Sequence, residues 1–177
     1  MTEPVFDPEL AIHILARHGV RFVVVGGFAA NLLGSAIVTT DLDLCYARDT
    51  ENYRRLASAL QELNARLRGA PEDVPFILDA ETIERGDRFT FTTDAGSLDV
   101  MGDPDGSAGY EALLRHALVL RVDDIEVAVA SIDDLIAMKR ASGRVKDRIH
   151  VEEFVALREE REALEARGID PDAPASG

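Results

Sequence analysis

The stretch FVVVGGFAANLLGSAIVTTDLDLCY, from Phe22 to Tyr46, decides the fold of this chain. It opens with an apolar, β-branched run, passes through the pair Gly26-Gly27 into small apolar residues, and closes with a second apolar run. That second run contains Asp41 and Asp43, one residue apart. An apolar run, a glycine pair, a short helix and a strand with Asp-x-Asp together indicate a site for phosphate and metal.

The local structure of this stretch follows from its apolar pattern. Residues 22–25 predict a buried strand, because a short β-branched run suits the interior of a sheet. Residues 28–33 are small and apolar and predict a short buried helix, which Gly34 ends. Residues 41–46 predict a second strand.

The aspartates of the second strand share one face of the sheet. Side chains at i and i+2 of a strand point the same way, so Asp41 and Asp43 project together while Leu42 and Leu44 anchor the opposite face in the core. Adjacent carboxylates repel each other, and divalent cations offset that repulsion. Asp99 is centred in another apolar run, where burial is costly without a cation or a hydrogen-bond partner. If the two strands are neighbours, three carboxylates converge.

The glycines supply the complementary half of the site. Gly26 and Gly27 lie where the first strand ends and a helix begins. Backbone N–H groups at a helix N-terminus attract phosphate, and the absence of a Cβ lets the phosphate approach. Three acids for two Mg²⁺ ions, with Mn²⁺ as the alternative, beside an anion cradle suit a nucleoside triphosphate.

The rest of the chain predicts an α+β (α/β-like) fold with a mixed central sheet flanked by helices and a helical C-terminal part. Apolar spacing predicts helices over 8–18, 51–67, 80–85, 110–116, from 131 onward and over 147–167. It predicts further strands over 76–78, 88–92, 97–101, 118–122 and 125–130. Residues 69–75 are predicted as a loop. We expect one domain over 1–167, with the C-terminal helices from about 131, and a disordered tail over 168–177.

Composition limits the classes of function. The chain has 177 residues, 46% of them apolar, and a net charge of −14, which argues against unspecific binding to nucleic acid. No apolar run approaches the roughly 20 residues that cross a bilayer, and the acidic N-terminus does not resemble a secretion signal. Cys45 is the single cysteine, so a reducing cytoplasm is the expected compartment.

Gly26-Gly27, thirteen residues, and then Asp41-Leu-Asp43 resemble the signature of the DNA polymerase beta-like nucleotidyltransferase superfamily. The strand that carries Asp99 resembles the third acidic position of that superfamily. The match is closest to a small bacterial branch that includes AbiEii-like abortive-infection toxins. Its recurring Gly, Thr, Lys and Arg-x-Lys-Asp correspond to Gly34, Thr39, Lys139 and 144–147. The resemblance covers roughly residues 10–157.

The resemblance implies roles for the acids and the glycines. Gly26 and Gly27 would hold the β- and γ-phosphates. Asp41 and Asp43 would bind both Mg²⁺ ions, and Asp99 would bind the catalytic metal and help to deprotonate an acceptor hydroxyl. The implied reaction is attack on the α-phosphate, transfer of a nucleoside monophosphate and release of pyrophosphate.

Two lysines and a threonine complete the implied nucleotide-binding set. Lys139 would neutralise the triphosphate, Lys146 would assist it or contact the acceptor, and Thr39 precedes the first aspartate by two residues. The basic segment 139–148 also suits a solvated helix face or a helix C-terminus. We favour a ligand-facing patch because the rest of the protein is acidic.

The sequence leaves the acceptor and the activity open. The acceptor could be a tRNA end, a protein hydroxyl or a small molecule, and a toxin role would imply a cognate antitoxin or regulator. Relatives often carry Pro-Arg where this chain has Ala36-Ile37, so one positive charge is missing. The alternative is therefore a catalytically weak or inactive nucleotide-binding or regulatory protein with the same fold.

Overall fold

The computed structural model describes residues 4–71 and 75–173. The helices are α1 (Pro8–Arg17), α2 (Gly26–Leu32), α3 (Thr50–Glu62), α4 (Ala80–Arg85), α5 (Gly109–His116), α6 (Ile132–Ser142) and α7 (Asp147–Ala166). The strands are β1 (Phe22–Val25), β2 (Asp41–Tyr46), β3 (Arg66–Leu67), β4 (Arg88–Thr93), β5 (Gly96–Met101), β6 (Leu118–Val122) and β7 (Ile125–Val129).

The strands form one mixed sheet in the order β3-β4-β5-β2-β1-β7-β6. β2 pairs with β1 in antiparallel and with β5 in parallel orientation, and β1 pairs with β7 in parallel orientation. The strands β4 and β5, and β6 and β7, form the two predicted hairpins. The arrangement confirms the predicted α+β fold with a mixed central sheet and a helical C-terminal part.

The centre of the sheet is the most deeply buried part of the molecule. All four residues of β1 are buried, as expected for an apolar strand with neighbours on both edges. In β2, Leu42 and Leu44 are each 1% exposed, whereas Asp41 and Asp43 on the other face keep partial access to solvent. The predicted alternation along β2 is therefore correct, and it fixes which face carries the carboxylates.

The helix predicted over 51–67 is too long. α3 ends at Glu62, and Asn64 adopts a left-handed conformation with φ of 51° that turns the chain. Leu67 is apolar because it belongs to β3, where it pairs with Phe91 of β4. Its spacing of four residues from Leu63 fits a helix equally well, so the sequence pattern could not separate the two.

Residues 76–78, which are predicted as a short strand, do not form one, although all three are apolar. The neighbour of β4 on this side is β3, which pairs with Phe91 and Thr92, and residues 76–78 do not join the sheet. Phe76 instead packs its ring 6.5 Å from Phe89 and 6.2 Å from Phe91. The carbonyl of Leu78 accepts a hydrogen bond from Gln61 at 2.7 Å.

The C-terminal helices begin as predicted, but α7 faces the core differently. Ser131 caps α6 by accepting a hydrogen bond from the Asp134 amide. The apolar spacing of α7 predicts inward positions for Ile149, Phe154, Leu157 and Leu164. Phe154 is fully buried, but Ile149 is 63% exposed. The buried face of α7 runs through Asp147, Phe154 and Arg161, and Ile149 lies off it.

The ends and one loop of the chain are only partly described. Residues 72–74 of the predicted loop and 174–177 of the predicted tail lie outside the described residues. Within 168–173, Asp172 accepts a hydrogen bond from Arg161 at 2.7 Å. The division into a domain over 1–167 and a tail stays a prediction. Among the described residues, the helices lack the length and apolarity needed to cross a membrane.

Candidate active site

Strand register brings two of the predicted acids face to face. β2 and β5 run parallel, and Asp43 lies directly opposite Asp99 in the pairing. Asp41 lies two residues before Asp43 on the same face, opposite Ser97. The three carboxylates thus share one patch of the sheet surface at the middle of the strand order.

Crowding and burial oppose ionisation of the central acid. Burial, followed by the charges of Asp99 and Asp41, raises the pKa of Asp43 from its ordinary 3.8 to about 7. Burial also raises the pKa of Asp99, although the guanidinium of Arg68 works against that rise. A cation placed between these side chains would relieve both the desolvation and the repulsion.

Gly26 makes room for the central carboxylate. Its φ is +69°, and a Cβ at this position would lie 2.9 Å from Cγ of Asp43 and closer still to a carboxylate oxygen. Only glycine meets both the conformational and the steric demand. The junction of β1 and α2 therefore lies directly against Asp43, and the role of its glycines as a phosphate cradle stays a prediction.

Gly27 and Thr39 pack against each other beside that junction. A Cβ on Gly27 would lie 3.0 Å from Oγ1 of Thr39. The Thr39 hydroxyl donates a hydrogen bond to the backbone carbonyl of Asp41 at 3.2 Å. The geometry gives Thr39 a part in holding the start of β2 rather than a place in the cavity wall.

The predicted lysine of α6 reaches the same cavity, and a buried aspartate holds it. Asp147 is 2% exposed and lies 3.4 Å from Nζ of Lys139 and 3.1 Å from Nε of Arg144. Ser142 donates a further, short hydrogen bond to it. Burial alone would raise the pKa of Asp147, but this hydrogen bond and the two cations hold it below its ordinary range.

Lys146 is not brought to the carboxylates. It is exposed at the start of α7 and contributes to neither the cavity beside the acids nor the one between α6 and α7. Gly143 ends α6 in a left-handed conformation, and the turn that follows directs Arg144 to the site instead. Arg144 thus lies where the resemblance would put a second cation.

A cavity of about 380 Å³ lies between two of the predicted acids, Asp43 and Asp99, and α6, whereas Asp41 does not line it. We call its two sides the sheet wall, with Asp43 and Asp99, and the helical wall, with Lys139, Ser142 and Arg144. The remaining lining comes from the residues Val25, Gly26, Arg88, Thr90, Met101, Pro104, Asp105, Leu135, Met138 and Phe154. The cavity is therefore lined by carboxylates on one side and by cationic side chains on the other. Such a lining suits an anionic ligand that carries bound metal cations.

Sequence reasoning missed three residues around Asp99. Thr90 is its partner on β4, and Arg88 lies two residues earlier on the same face. The predicted hairpin of 88–92 and 97–101 contained the signal for both, because its register places Thr90 opposite Asp99. Arg68, which bonds to Asp99 at 2.9 Å, follows a strand that the sequence analysis placed inside a helix.

One further group of ligand atoms lies apart from the cavity. His13, Asp123 and Asp124 bring their side-chain ligand atoms within 4.8 Å of one another, and all three are exposed. The spacing of the histidines along the sequence did not predict this group, because the two aspartates come from the β6–β7 turn. Exposed acids of this kind often gather without a metal.

No family model matches the sequence, and no curated protein matches it significantly. Solved structures do resemble the fold. The lincosamide antibiotic adenylyltransferase LnuA, in a lincomycin-bound structure, gives a TM-score of 0.58 at 12% identity over 87% of this chain and 99% of that chain. ANT(2″)-Ia, in complex with adenylyl-2″-tobramycin, gives 0.53 at 17% identity over 90% of this chain and 95% of that chain.

A third structure, of a Thermotoga maritima protein described as a nucleotidyltransferase, gives a TM-score of 0.53 at 16% identity. It covers 86% of this chain and 96% of that chain. The chain thus has the fold of nucleotidyltransferases, as predicted. The predicted AbiEii-like branch is not among these structures.

Proposed function

We propose that this chain is a divalent-metal-dependent nucleotidyltransferase that transfers a nucleoside monophosphate from a nucleoside triphosphate to a hydroxyl group of a small molecule. One observation carries the proposal. Asp43 and Asp99 lie in register on adjacent strands, and they share a cavity with Gly26 and Lys139. Paired carboxylates, a glycine junction and a cation in one cavity are the elements that metal-assisted phosphoryl chemistry needs.

The residues present fit a divalent cation of the Mg²⁺ type. The donors Asp41, Asp43 and Asp99 offer only oxygen atoms, which hard cations prefer. Burial and repulsion from Asp99 and Asp41 raise the pKa of Asp43 to about 7, so a cation bound beside it would favour its ionised form. When bound, two Mg²⁺ ions, or Mn²⁺ in their place, would polarise the α-phosphate and stabilise the charge on the leaving pyrophosphate.

The side chains of the chain divide the remaining work. A hydroxyl oxygen of the acceptor forms a bond to the α-phosphorus while the bond from that phosphorus to the bridging oxygen breaks, and pyrophosphate leaves. Asp99 accepts the hydroxyl proton. Lys139 and Arg144 of the helical wall neutralise the triphosphate, and the backbone at Gly26 and Gly27 allows its close approach.

A small molecule is the acceptor class that fits best. The net charge of −14 disfavours a polyanionic RNA as acceptor. LnuA is an adenylyltransferase of lincosamide antibiotics, and ANT(2″)-Ia was solved with an adenylylated tobramycin. A tRNA end or a protein hydroxyl remains the competing prediction of the sequence.

The test is transfer of label from α-labelled nucleoside triphosphates in Mg²⁺, with extracts of small molecules, RNA and protein offered separately as acceptors. We expect a labelled small molecule and release of pyrophosphate, both lost in Asp41→Ala and Asp43→Ala. Asp133→Asn is the matched control, since Asp133 is 71% exposed and pairs with Arg158. Labelling that survives both alanine substitutions would contradict the proposal, and labelled RNA or protein would replace its acceptor.

A second candidate is a nucleotide-binding protein that does not turn over its ligand. Ile37 is the observation that favours it, because relatives often carry an arginine there and Ile37 instead packs against the core. Titration calorimetry with each triphosphate, with and without Mg²⁺, separates the two candidates. Binding without pyrophosphate release would support this second candidate.

A toxin role is the narrowest form of the proposal. It follows from the resemblance to the AbiEii-like branch and would imply a cognate antitoxin. A neighbouring gene for a regulator, together with growth arrest on expression that Asp43→Ala relieves, would support it. Expression without arrest would argue for a different cellular role with the same chemistry.

A further inference from the structure

The side chain of Arg68 reaches the carboxylate of Asp99 from a different part of the sheet. It follows β3 at the edge of the sheet, and its side chain extends past β4 to β5. Nη2 donates hydrogen bonds to Oδ1 of Asp99 at 2.9 Å and to the carbonyl of Phe91 at 3.1 Å. Its backbone amide donates to the Thr90 carbonyl at 2.9 Å, which fixes the base of the side chain. The contact is therefore held at both ends.

This contact distinguishes Asp99 from the other two acids. Within residues 4–71 and 75–173, Asp99 has an ion pair with a guanidinium, whereas Asp41 and Asp43 have no ion pair. The Asp99 side chain is only 20% exposed and that of Arg68 is 37% exposed, so the pair is partly shielded from solvent. Shielding strengthens the attraction and makes its exchange for another partner costly.

We propose that Arg68 competes with a divalent cation for Asp99 and thereby weakens the affinity of the site for that cation. The inference rests on the proposed function, because it takes Asp99 to be a metal ligand. A divalent cation on Asp99 must displace the guanidinium or share the carboxylate with it, and both arrangements place like charges close together. Arg68 would then keep the cluster intact until the metal arrives with its nucleotide.

An orienting role for Arg68 would change the affinity for the cation in the opposite direction. If Arg68 only orients Asp99 for metal binding, its removal frees the carboxylate to rotate and weakens binding. If it competes, its removal leaves a more negative cluster without a resident cation and strengthens binding. The direction of one affinity change therefore separates competition from orientation.

The test is calorimetric titration of Mn²⁺ into the full chain and into Arg68→Met, which keeps the aliphatic stem but removes the charge. We expect Arg68→Met to bind Mn²⁺ about tenfold more tightly, because a shielded charge-assisted bond no longer opposes entry. Arg68→Lys should return most of the way to the original affinity. Arg66→Met, at an exposed arginine two residues earlier in β3, should change the affinity less than twofold.

Two results would overturn the inference. Weaker binding in Arg68→Met would assign an orienting role, and binding unchanged within twofold would leave Arg68 without influence on the cation. A different variant tests whether the carboxylate cluster binds the cation at all, as the proposed function requires. If Mn²⁺ binds Asp43→Asn as tightly as the original chain, the cation occupies another site. Asp124→Asn then tests whether that site is the exposed group around His13.

Discussion

The sheet wall and the helical wall of the cavity hold their charged side chains by different means. Asp43 and Asp99 are placed by strand register, and Gly26 lacks the Cβ that would collide with Asp43. Lys139 and Arg144 are placed by a single buried acid, Asp147, and by the turn at the end of α6. The sheet wall is crowded with like charges, whereas the helical wall is built around an opposite charge.

The two walls therefore differ in how ionisation of their acids changes the stability of the fold. Burial, followed by repulsion from Asp99 and Asp41, raises the pKa of Asp43, so the sheet wall is less stable when this acid ionises. The Ser142 hydrogen bond and the two cations outweigh burial and lower the pKa of Asp147, so the helical wall is more stable when its acid ionises. Substitutions that remove charge should therefore have opposite effects on stability in the two walls.

Asp43→Asn should produce the largest change in activity. We expect nucleotidyl transfer to fall by about a thousandfold, because the central donor to the metal is lost. In metal-free buffer at pH 8 the variant should be more stable than the original chain, by about 2 kcal/mol. Label transfer and urea unfolding measure the two effects, and lower stability at pH 8 would contradict the crowding of the sheet wall.

The pH dependence of that stability follows from the raised pKa of Asp43. The folded chain binds a proton at Asp43 up to about pH 7, whereas the unfolded chain releases it near 3.8. The contribution of Asp43 to stability therefore falls as the pH rises from 4 to 7. The gain in Asp43→Asn should shrink as the pH is lowered and should be absent below pH 4.

Asp147→Asn should have the reverse effect on stability. Removal of the buried negative charge leaves Lys139 and Arg144 without their shared partner, and we expect a loss of about 3 kcal/mol at pH 7. Urea unfolding measures it. The control is Asp133→Asn, whose exposed pair with Arg158 should leave the stability nearly unchanged. Equal losses in the two variants would mean that the helical wall depends on packing and not on this charge.

The sequence could predict the sheet wall because register follows from periodicity. Asp41, Asp43 and Asp99 each lie in a run whose alternation or burial fixes one face, so adjacency of two strands is enough to bring them together. The helical wall has no such rule. Lys139 was predicted by resemblance alone, and Lys146 differs from Arg144 only through the turn after Gly143, which depends on contacts distant in sequence.

Arg68 illustrates the same limit within the sheet. Its position depends on where α3 ends, and the leucine spacing of 56–67 fits a helix throughout. Asn64 in a left-handed conformation is the local signal for the end of the helix, but asparagine alone does not mark an end, since Asn52 lies within α3. A pairing partner for β3 becomes visible only once β4 is in place.

Gly26→Ala and Gly27→Ala should differ in their effects on stability and on Mn²⁺ binding. Alanine at 26 requires a left-handed backbone and meets the Asp43 carboxylate, so we expect a loss of about 2 kcal/mol and loss of Mn²⁺ binding. Alanine at 27 meets only the Thr39 hydroxyl at 3.0 Å, and its backbone needs no left-handed φ. We expect about 1 kcal/mol or less there. Urea unfolding and calorimetry measure both, and equal effects would contradict the close approach of Gly26 to Asp43.

Lys139→Met and Lys146→Met should distinguish the roles of the two lysines in nucleotide binding. We expect these substitutions to have the smallest effects among those discussed. Lys139 lines the cavity and keeps its Nζ 3.4 Å from Asp147, so its loss should raise the KM for the nucleoside triphosphate by about tenfold while leaving kcat less affected. Lys146 is exposed outside the cavity, so its KM should change less than twofold. Because both substitutions remove one positive charge from the same segment, a general electrostatic effect would change both equally. Equal rises in KM would therefore assign the segment a steering role, and a larger rise for Lys146→Met would show that the bound state differs from the arrangement described above.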